Sequence, residues 1–140
     1  MIVAFDTNVI LDALIEGRPG AEEARELMLA VARDEIEGIV TTNSITDIYY
    51  IAKKKLGDMK TREALYDILT LFKVADVRKY DCMKALGSPV KDFEDALLSV
   101  CAERDDADYI ASRDVEFINS SSVIPVKCPG DLLHIIGNKS

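Results

Sequence analysis

The stretch that decides the fold is Ile2-Val3-Ala4-Phe5-Asp6, in which four apolar residues end abruptly at an acid. Short apolar runs of this kind are typical of strands that are buried on both faces of a parallel sheet. Three similar runs follow, over residues 38–42, 107–111 and 123–126. Between them the apolar residues recur at helical spacing, so the sequence predicts that strands alternate with helices.

The periodicity predicts seven helices, over residues 8–15, 21–33, 44–55, 61–72, 80–86, 92–104 and 132–136. Helices that connect successive strands make right-handed crossovers, which produce a parallel sheet covered on both faces. We therefore predict a three-layer α/β/α sandwich with a central parallel sheet of four to five strands. The whole chain, residues 1–140, is expected to form a single domain.

The composition indicates a folded protein and argues against a disordered or membrane-spanning one. The chain has 140 residues, of which 49% are hydrophobic, and its formal net charge is -8. Such a chain buries a core and is not expected to be disordered. Because no run approaches the roughly 18 apolar residues of a membrane helix and no basic segment precedes the first apolar run, we predict a cytoplasmic protein without a membrane segment.

The charge is unevenly distributed along the chain. Residues 53–91 contain ten basic and five acidic side chains, whereas acids predominate in residues 1–52 and 92–116. The negative total alone argues against a nucleic-acid partner, because affinity for polyanions depends on Lys and Arg. The basic segment leaves two alternatives open, a solvated helix face or a surface that contacts phosphates or an acidic partner. Its candidate contact residues are Lys53, Lys54, Lys55, Lys60 and Arg62.

Acids occur near the carboxyl ends of the predicted strands. Asp6 follows the first strand, Asp114 follows the strand over 107–111, and Asp47 lies early in the helix after the strand over 38–42. Asp92 and Asp95 are one helical turn apart at the start of another helix. Because parallel strands end at one common edge, where such sheets bind ligands, we expect these carboxylates to converge.

Each acid also has a purely structural explanation. Ser44-Ile45-Thr46-Asp47 fits a capping box, Asp92 is placed to cap a helix, and Asp114 is placed to cap the turn at Val115. Capping does not require acids to converge, whereas a cation site does. Carboxylates held together repel one another, and Mg²⁺ or Mn²⁺ would compensate that repulsion and support hydrolysis of a phosphodiester.

Other chemistries lack their motifs. The three cysteines and the single histidine do not have zinc-ligand spacing, and no glycine-rich phosphate-binding loop or G-x-S-x-G sequence is present. A phosphotransfer enzyme of the haloacid dehalogenase type would need a second acid at the position of Asn8. Hydrolysis of nucleic acid is therefore the favoured chemistry.

Four motifs in order resemble the PIN domain family: Asp6-Thr7-Asn8, the run Ile45-Thr46-Asp47-Ile48-Tyr49-Tyr50, the run Asp92-Phe93-Glu94-Asp95-Ala96-Leu97, and Ser112-Arg113-Asp114 followed by Phe117. In size and layout the chain is most similar to the VapC-like toxins of prokaryotic toxin–antitoxin pairs. The resemblance implies a PIN-like fold and a Mg²⁺- or Mn²⁺-dependent endoribonuclease that hydrolyses RNA. It also implies a homodimer and a cognate antitoxin protein as partners.

The resemblance assigns roles by position. It implies that Asp6, Asp95 and Asp114 are catalytic and hold the metal, with Asp92 as an additional ligand. Asp47, where the family commonly has Glu, is expected to complete the catalytic set with a shorter side chain.

Two further residues are expected to support this site. Asn8 and Ser112 are expected to orient carboxylates or bound water, although a role as a helix cap or turn residue is an equal alternative for each. The basic residues from Lys53 to Arg62 are expected to contact the RNA backbone. The departure at Asp47 leaves an alternative function open, a catalytically weak or inactive PIN-like module that binds RNA or protein.

Overall fold

The computed structural model describes residues 1–138 of the chain. Its five strands are β1 (Ile2–Phe5), β2 (Glu37–Thr41), β3 (Lys73–Ala75), β4 (Tyr109–Ala111) and β5 (Val126–Lys127). Its helices are α1 (Thr7–Leu14), α2 (Ala21–Ala32), α3 (Thr42–Leu56), α4 (Asp58–Leu71), α5 (Lys79–Leu86), α6 (Phe93–Arg104), α7 (Val115–Ile118) and α8 (Pro129–Asn138). All strand pairs are parallel, so the predicted α/β fold is confirmed.

Helices cover both faces of the sheet. Val3 and Phe5 of β1 pack with α1, α2, α3, α4 and α8, whereas Ala4 packs on the other face with α5, α6 and α7. This alternation follows the pleat of a strand, in which successive side chains point to opposite faces. Burial on both faces explains why β1 is a continuous apolar run in the sequence.

The order of the strands places a crevice beside β1. The sheet runs β3-β2-β1-β4-β5, so the chain moves outward from β1 to β3 and then returns to the opposite side of β1. Val3 is paired with Gly38 of β2 and with Tyr109 of β4. Ligands of such sheets bind where the strand order reverses, outside the carboxyl ends of the strands.

The structure corrects several predicted boundaries. The strand predicted over 123–126 is displaced to Val126–Lys127, because Pro125 has no N–H for the ladder and contributes only its carbonyl, which accepts from the Ile110 N–H. Strand β3 and helix α7 were not predicted, because they have three and four residues and are too short to show a periodicity.

The capping box predicted at Ser44 is wrong. Helix α3 begins two residues earlier, with Thr41 at the N-cap and no side-chain capping bond. The hydroxyl of Ser44 instead shares a hydrogen bond of 2.7 Å with the hydroxyl of Thr7, which joins the start of α3 to the start of α1. Among residues 1–138, no helix combines the length and the apolar character that crossing a bilayer requires.

Candidate active site

An acidic cleft of about 370 Å³ lies at the carboxyl edge of the sheet. All five acids that the sequence analysis selected line it, and Glu94 is a sixth. The full lining is Asp6, Thr7, Asn8, Asp47, Ile51, Asp92, Glu94, Asp95 and Asp114. The fold therefore brings together carboxylates that are more than a hundred residues apart in the chain.

Ser112 joins the first and the last of these acids. It is completely buried at the end of β4. Its hydroxyl donates a 2.8 Å hydrogen bond to the Asp6 carboxylate and accepts one of 3.1 Å from the Asp114 N–H. Asp114 in turn is the N-cap of α7 and accepts from the Glu116 N–H at 3.0 Å. The predicted cap role of Asp114 is thus confirmed, and its place in the cleft is compatible with it.

Asp92 is likewise both a cap and a member of the cleft. Its carboxylate accepts a 3.0 Å hydrogen bond from the Asp95 N–H as the N-cap of α6. The start of α6 thereby presents Asp92, Glu94 and Asp95 to the same space. Acids in the first turn of a helix are favoured by its dipole, which offsets part of their mutual repulsion.

Glu94 is the residue that the sequence reasoning missed. It lies beside Asp47 in the cleft, and burial, followed by the charge of Asp47, raises its pKa. Neighbouring helical positions normally point to different faces, so its placement between Asp92 and Asp95 did not single it out. The cleft wraps around the first turn of α6, which is why side chains from several faces reach it.

Burial and repulsion disfavour the ionised forms of Asp6, Glu94 and Asp95. The pKa of Asp95 is raised to about 7, first by burial and then by the charges of Asp6, Asp92, Asp114 and Glu94. Burial also raises the pKa of Asp6, although hydrogen bonds from Ser112 and from the backbone oppose the change. A cleft with this imbalance favours the binding of a cation, which would lower these pKa values.

The donor atoms fit a hard divalent cation. The cleft itself offers carboxylate oxygens, which such cations prefer. A small space next to it is lined by Asp6, Thr7 and Glu94, and the amide oxygen of Asn43 is buried there without a hydrogen-bond partner. Within residues 1–138, however, no three acidic, histidine or cysteine side chains are already gathered at ligand distances. Binding of a cation would therefore require these side chains to move closer together.

Asn8 lines the cleft, where a hydrogen bond from its backbone N–H acts to lower the pKa of Asp6. Its amide oxygen accepts a 3.1 Å hydrogen bond from Arg18. The alternative role as a helix N-cap is wrong, because α1 begins at Thr7 and Asp6 occupies the N-cap position. Asn8 therefore links the cleft to an arginine outside it.

The candidate RNA-contact residues are all exposed, but their surroundings differ. Lys53 and Arg62 lie over the Tyr49 ring, at 5.6 and 5.4 Å from its centroid, and Arg62 also pairs with Asp58 at 2.8 Å. Lys54 and Lys55 instead follow Ile51, which lines the cleft, by one helical turn, and so share its side of α3. Lys60 lies on α4.

A second cavity, of about 300 Å³, adjoins the acidic cleft. The two cavities share Asp92 and Asp95. The other lining residues are Pro89, Val90, Lys91, Glu116, Phe117, Asn119, Ser120 and Ser121. The cavity has both apolar and hydrogen-bonding walls, and it provides space for part of a ligand next to the acidic cleft.

Comparison with known proteins agrees with these observations. The family model described as PIN domain matches residues 2–116. No curated protein was found to match the sequence.

Solved structures share the fold. That of VapC20 from Mycobacterium tuberculosis, described as a sarcin-ricin loop cleaving toxin, has a TM-score of 0.69 and 14% identity, over 88% of this chain and 99% of that one. A toxin–antitoxin complex from Klebsiella pneumoniae has a TM-score of 0.66 and 20% identity, over 91% of this chain and 97% of that one. VapBC2 from Rickettsia felis, bound to a promoter DNA fragment, has a TM-score of 0.65 and 14% identity, over 91% of this chain and 98% of that one.

Proposed function

Because the chain belongs to the PIN domain family, we propose that it is a metal-dependent endoribonuclease that hydrolyses RNA phosphodiester bonds. The observation that carries this proposal is the convergence of six carboxylates in one cleft at the carboxyl edge of the sheet. Capping explains Asp92 and Asp114 individually, but it does not explain why Asp6, Asp47 and Asp95 meet them there.

The proposal gives the acids distinct tasks. Asp6, Asp95 and Asp114 would hold Mg²⁺ or Mn²⁺, with Asp92 as an additional ligand, and Ser112 would orient Asp6. A bound divalent cation would lower the pKa of a water molecule and stabilise charge on the phosphate. Asp47, which lies beside Glu94, would accept the proton of the attacking water.

RNA is the proposed substrate, and its backbone would follow the basic side of α3. Lys54 lies one helical turn beyond Ile51, which lines the cleft, and the other basic candidates are exposed on α3 and α4: Lys53, Lys55, Lys60 and Arg62. The cavity that shares Asp92 and Asp95 offers space for a nucleoside next to the cleaved bond. This distribution separates a site for cations from a surface for phosphates.

We further propose that the protein is the toxin of a VapBC-type pair, acting in the cytoplasm as a homodimer that a cognate antitoxin inhibits. Structures with the same fold are described as toxin–antitoxin complexes. The chain also exposes large apolar side chains, among them Tyr80, Met83 and Leu86 on α5, as proteins with partners do.

The nuclease proposal is tested by incubating the pure protein with labelled RNA and Mn²⁺ or Mg²⁺, with and without EDTA. Cleavage should require the metal and should be lost in Asp6→Asn and Asp95→Asn. Asp67→Asn makes the same chemical change at an exposed position of α4 and should leave cleavage intact. RNA binding without cleavage, or cleavage that neither EDTA nor the two site variants affect, would refute the proposal and favour the binding-module alternative.

The toxin assignment is tested separately in cells. Induced expression of the intact protein should arrest growth, and expression of Asp95→Asn should not. Light scattering of the pure protein measures the proposed dimer. A protein that cleaves RNA in vitro but leaves growth unchanged would refute the toxin assignment and retain the nuclease.

A further inference from the structure

A buried acid outside the cleft connects α1 to the loop that carries Asp114. Asp12 on α1 is 2% exposed and does not line the acidic cleft. Its carboxylate accepts hydrogen bonds from the Nε atoms of Arg18, at 2.9 Å, and of Arg113, at 2.6 Å. A second guanidinium nitrogen of Arg113 lies 3.4 Å from the other carboxylate oxygen. Two guanidinium groups therefore satisfy the oxygens of this buried carboxylate, as buried polar groups require.

The place of Arg113 in the chain makes this contact relevant to the cleft. Arg113 lies between Ser112, which binds Asp6, and Asp114, which lines the cleft. Two successive residues of this loop are therefore tied to the segment that runs from Asp6 into α1. The planar guanidinium fork allows little variation in the position of the chain that it anchors.

We propose that Asp12 is a positioning residue, which holds Arg113 and thereby sets the position of Asp114 relative to Asp6. Arg18 supports it by sharing the charge of Asp12 and by binding Asn8 at the edge of the cleft. The effect on catalysis rests on the proposed ribonuclease function, but the effect on the loop does not.

The structure offers a matched control for a test of this role. Asp81 is 3% exposed and pairs with Arg104, which joins α5 to the end of α6 and does not touch residues 112–114. Asp12→Asn and Asp81→Asn each remove one buried charge at nearly constant volume. Both variants should lose stability, so stability by itself does not distinguish a positioning role from a structural one.

Three measurements distinguish the roles. They are the Mn²⁺ affinity without RNA, measured by calorimetry, the hydrogen exchange of the Asp114 and Glu116 amides, and the separate values of kcat and KM for RNA. Asp12→Asn should lower the Mn²⁺ affinity by about 10- to 100-fold and kcat by about as much, as losses of residues that orient metal ligands do. KM should change little. The Asp114 and Glu116 amides, which are bonded within the loop, should exchange faster. Asp81→Asn should leave all of these unchanged.

A second variant tests the same contact in case Asp12→Asn does not fold. Arg113 is partly exposed, and Arg113→Lys keeps its charge but loses the fork. It should reproduce the loss of Mn²⁺ affinity, and the double variant should be no worse than either single one, because both break the same contact.

Two outcomes would overturn the proposal. Unchanged Mn²⁺ affinity and amide exchange in both Asp12→Asn and Arg113→Lys would make the pair purely structural. A raised KM with unchanged kcat and Mn²⁺ affinity would make the arginines substrate contacts instead. If the unaltered protein cleaves no RNA, the ribonuclease proposal fails, whereas calorimetry and hydrogen exchange still decide the role of Asp12.

Discussion

The hydroxyl of Ser112 and the carboxylate of Asp6, 106 residues apart in the chain, are joined by a hydrogen bond of 2.8 Å. Burial raises the pKa of Asp6, and this bond is the largest of the effects that lower it. Ser112 therefore helps to keep Asp6 ionised in an environment that favours its protonated form.

Replacing Ser112 by Ala should raise the pKa of Asp6 further, because burial then acts with less opposition. The acidic limb of the pH profile of RNA cleavage should move to higher pH. Ser99→Ala is a suitable control, since Ser99 is buried on α6 and its hydrogen-bond partner is Ser122. An acidic limb that stays in place in Ser112→Ala would contradict this account of the pKa of Asp6.

Metal-free protein should become less stable as the pH rises from about 4 to 7. The pKa of Asp95 is about 7 in the fold against 3.8 for a free aspartate, so the folded state binds more protons than the unfolded state in that interval. Stability falls with rising pH wherever this holds. Asp95→Asn removes the charge and should raise the Tm at pH 8 by a few degrees, as measured by thermal unfolding in EDTA.

Mn²⁺ should reverse this destabilisation. Because the cation replaces protons on the carboxylates, its stabilising effect should be larger at pH 8 than at pH 6. Thermal unfolding with and without Mn²⁺ at the two pH values measures the difference. The exposed variant Asp67→Asn should respond as the unaltered protein does, whereas an equal Mn²⁺ effect in Asp95→Asn would contradict a role for Asp95 in the cation site.

Glu94 should compensate for the short side chain of Asp47. Asp47→Asn is expected to lower kcat by about 10- to 100-fold, like other changes in the shell of a metal site. Glu94→Gln should also lower kcat, because it removes the carboxylate that lies beside Asp47. Asp47→Glu restores the side-chain length that PIN domains commonly have, and we expect it to retain kcat.

The two positions are tested as a pair. Glu94→Gln should cost much less kcat when residue 47 is Glu than when it is Asp, so the two changes should not be additive. The double-mutant cycle consists of kcat measured for the unaltered protein, Glu94→Gln, Asp47→Glu and the variant with both changes. Equal losses from Glu94→Gln in both backgrounds would show that Glu94 acts independently of Asp47.

Lys54 should contribute more to RNA binding than Lys53. Lys54 lies on the cleft side of α3, whereas Lys53 lies over the Tyr49 ring. Lys54→Ala should weaken binding and reduce the slope of log K against log salt by about 0.7, the value for one contact with a single-strand phosphate. Fluorescence anisotropy in the Asp47→Asn background, where cleavage is expected to be slow, gives the slope. The matched variant Lys53→Ala should have the smaller effect, and the reverse order would contradict this reading of the helix face.

The parts of the fold that local pattern controls could be predicted from the sequence. Ile2–Phe5 is buried on both faces, so its apolar run predicted a central strand. Asp6 and Asp114 follow the neighbouring strands β1 and β4, and they were expected to meet because parallel strands end at one edge. The three residues of β3 carried no such signal, since their conformation depends on hydrogen bonds to β2 rather than on periodicity.

The remaining features depend on contacts between distant residues. Glu94 reaches the cleft because α6 presents its first turn end-on, and a helical repeat does not reveal that orientation. Arg113 and Asp12 are 101 residues apart, and each alone is an ordinary charged residue. Ser44 could cap a helix by its type, but the nearby hydroxyl of Thr7 is its partner in the folded chain.

The position of β4 next to β1 determines when the acidic cleft is completed during synthesis. Chains emerge from the ribosome N-terminus first, so Asp6 and Asp47 leave the tunnel long before Ser112 and Asp114. The edge at which β1 and β4 end together forms only after β4 has been made and has paired with β1. A growing chain therefore carries an incomplete set of carboxylates, and the proposed nuclease activity would begin only once β4 and Asp114 have been translated.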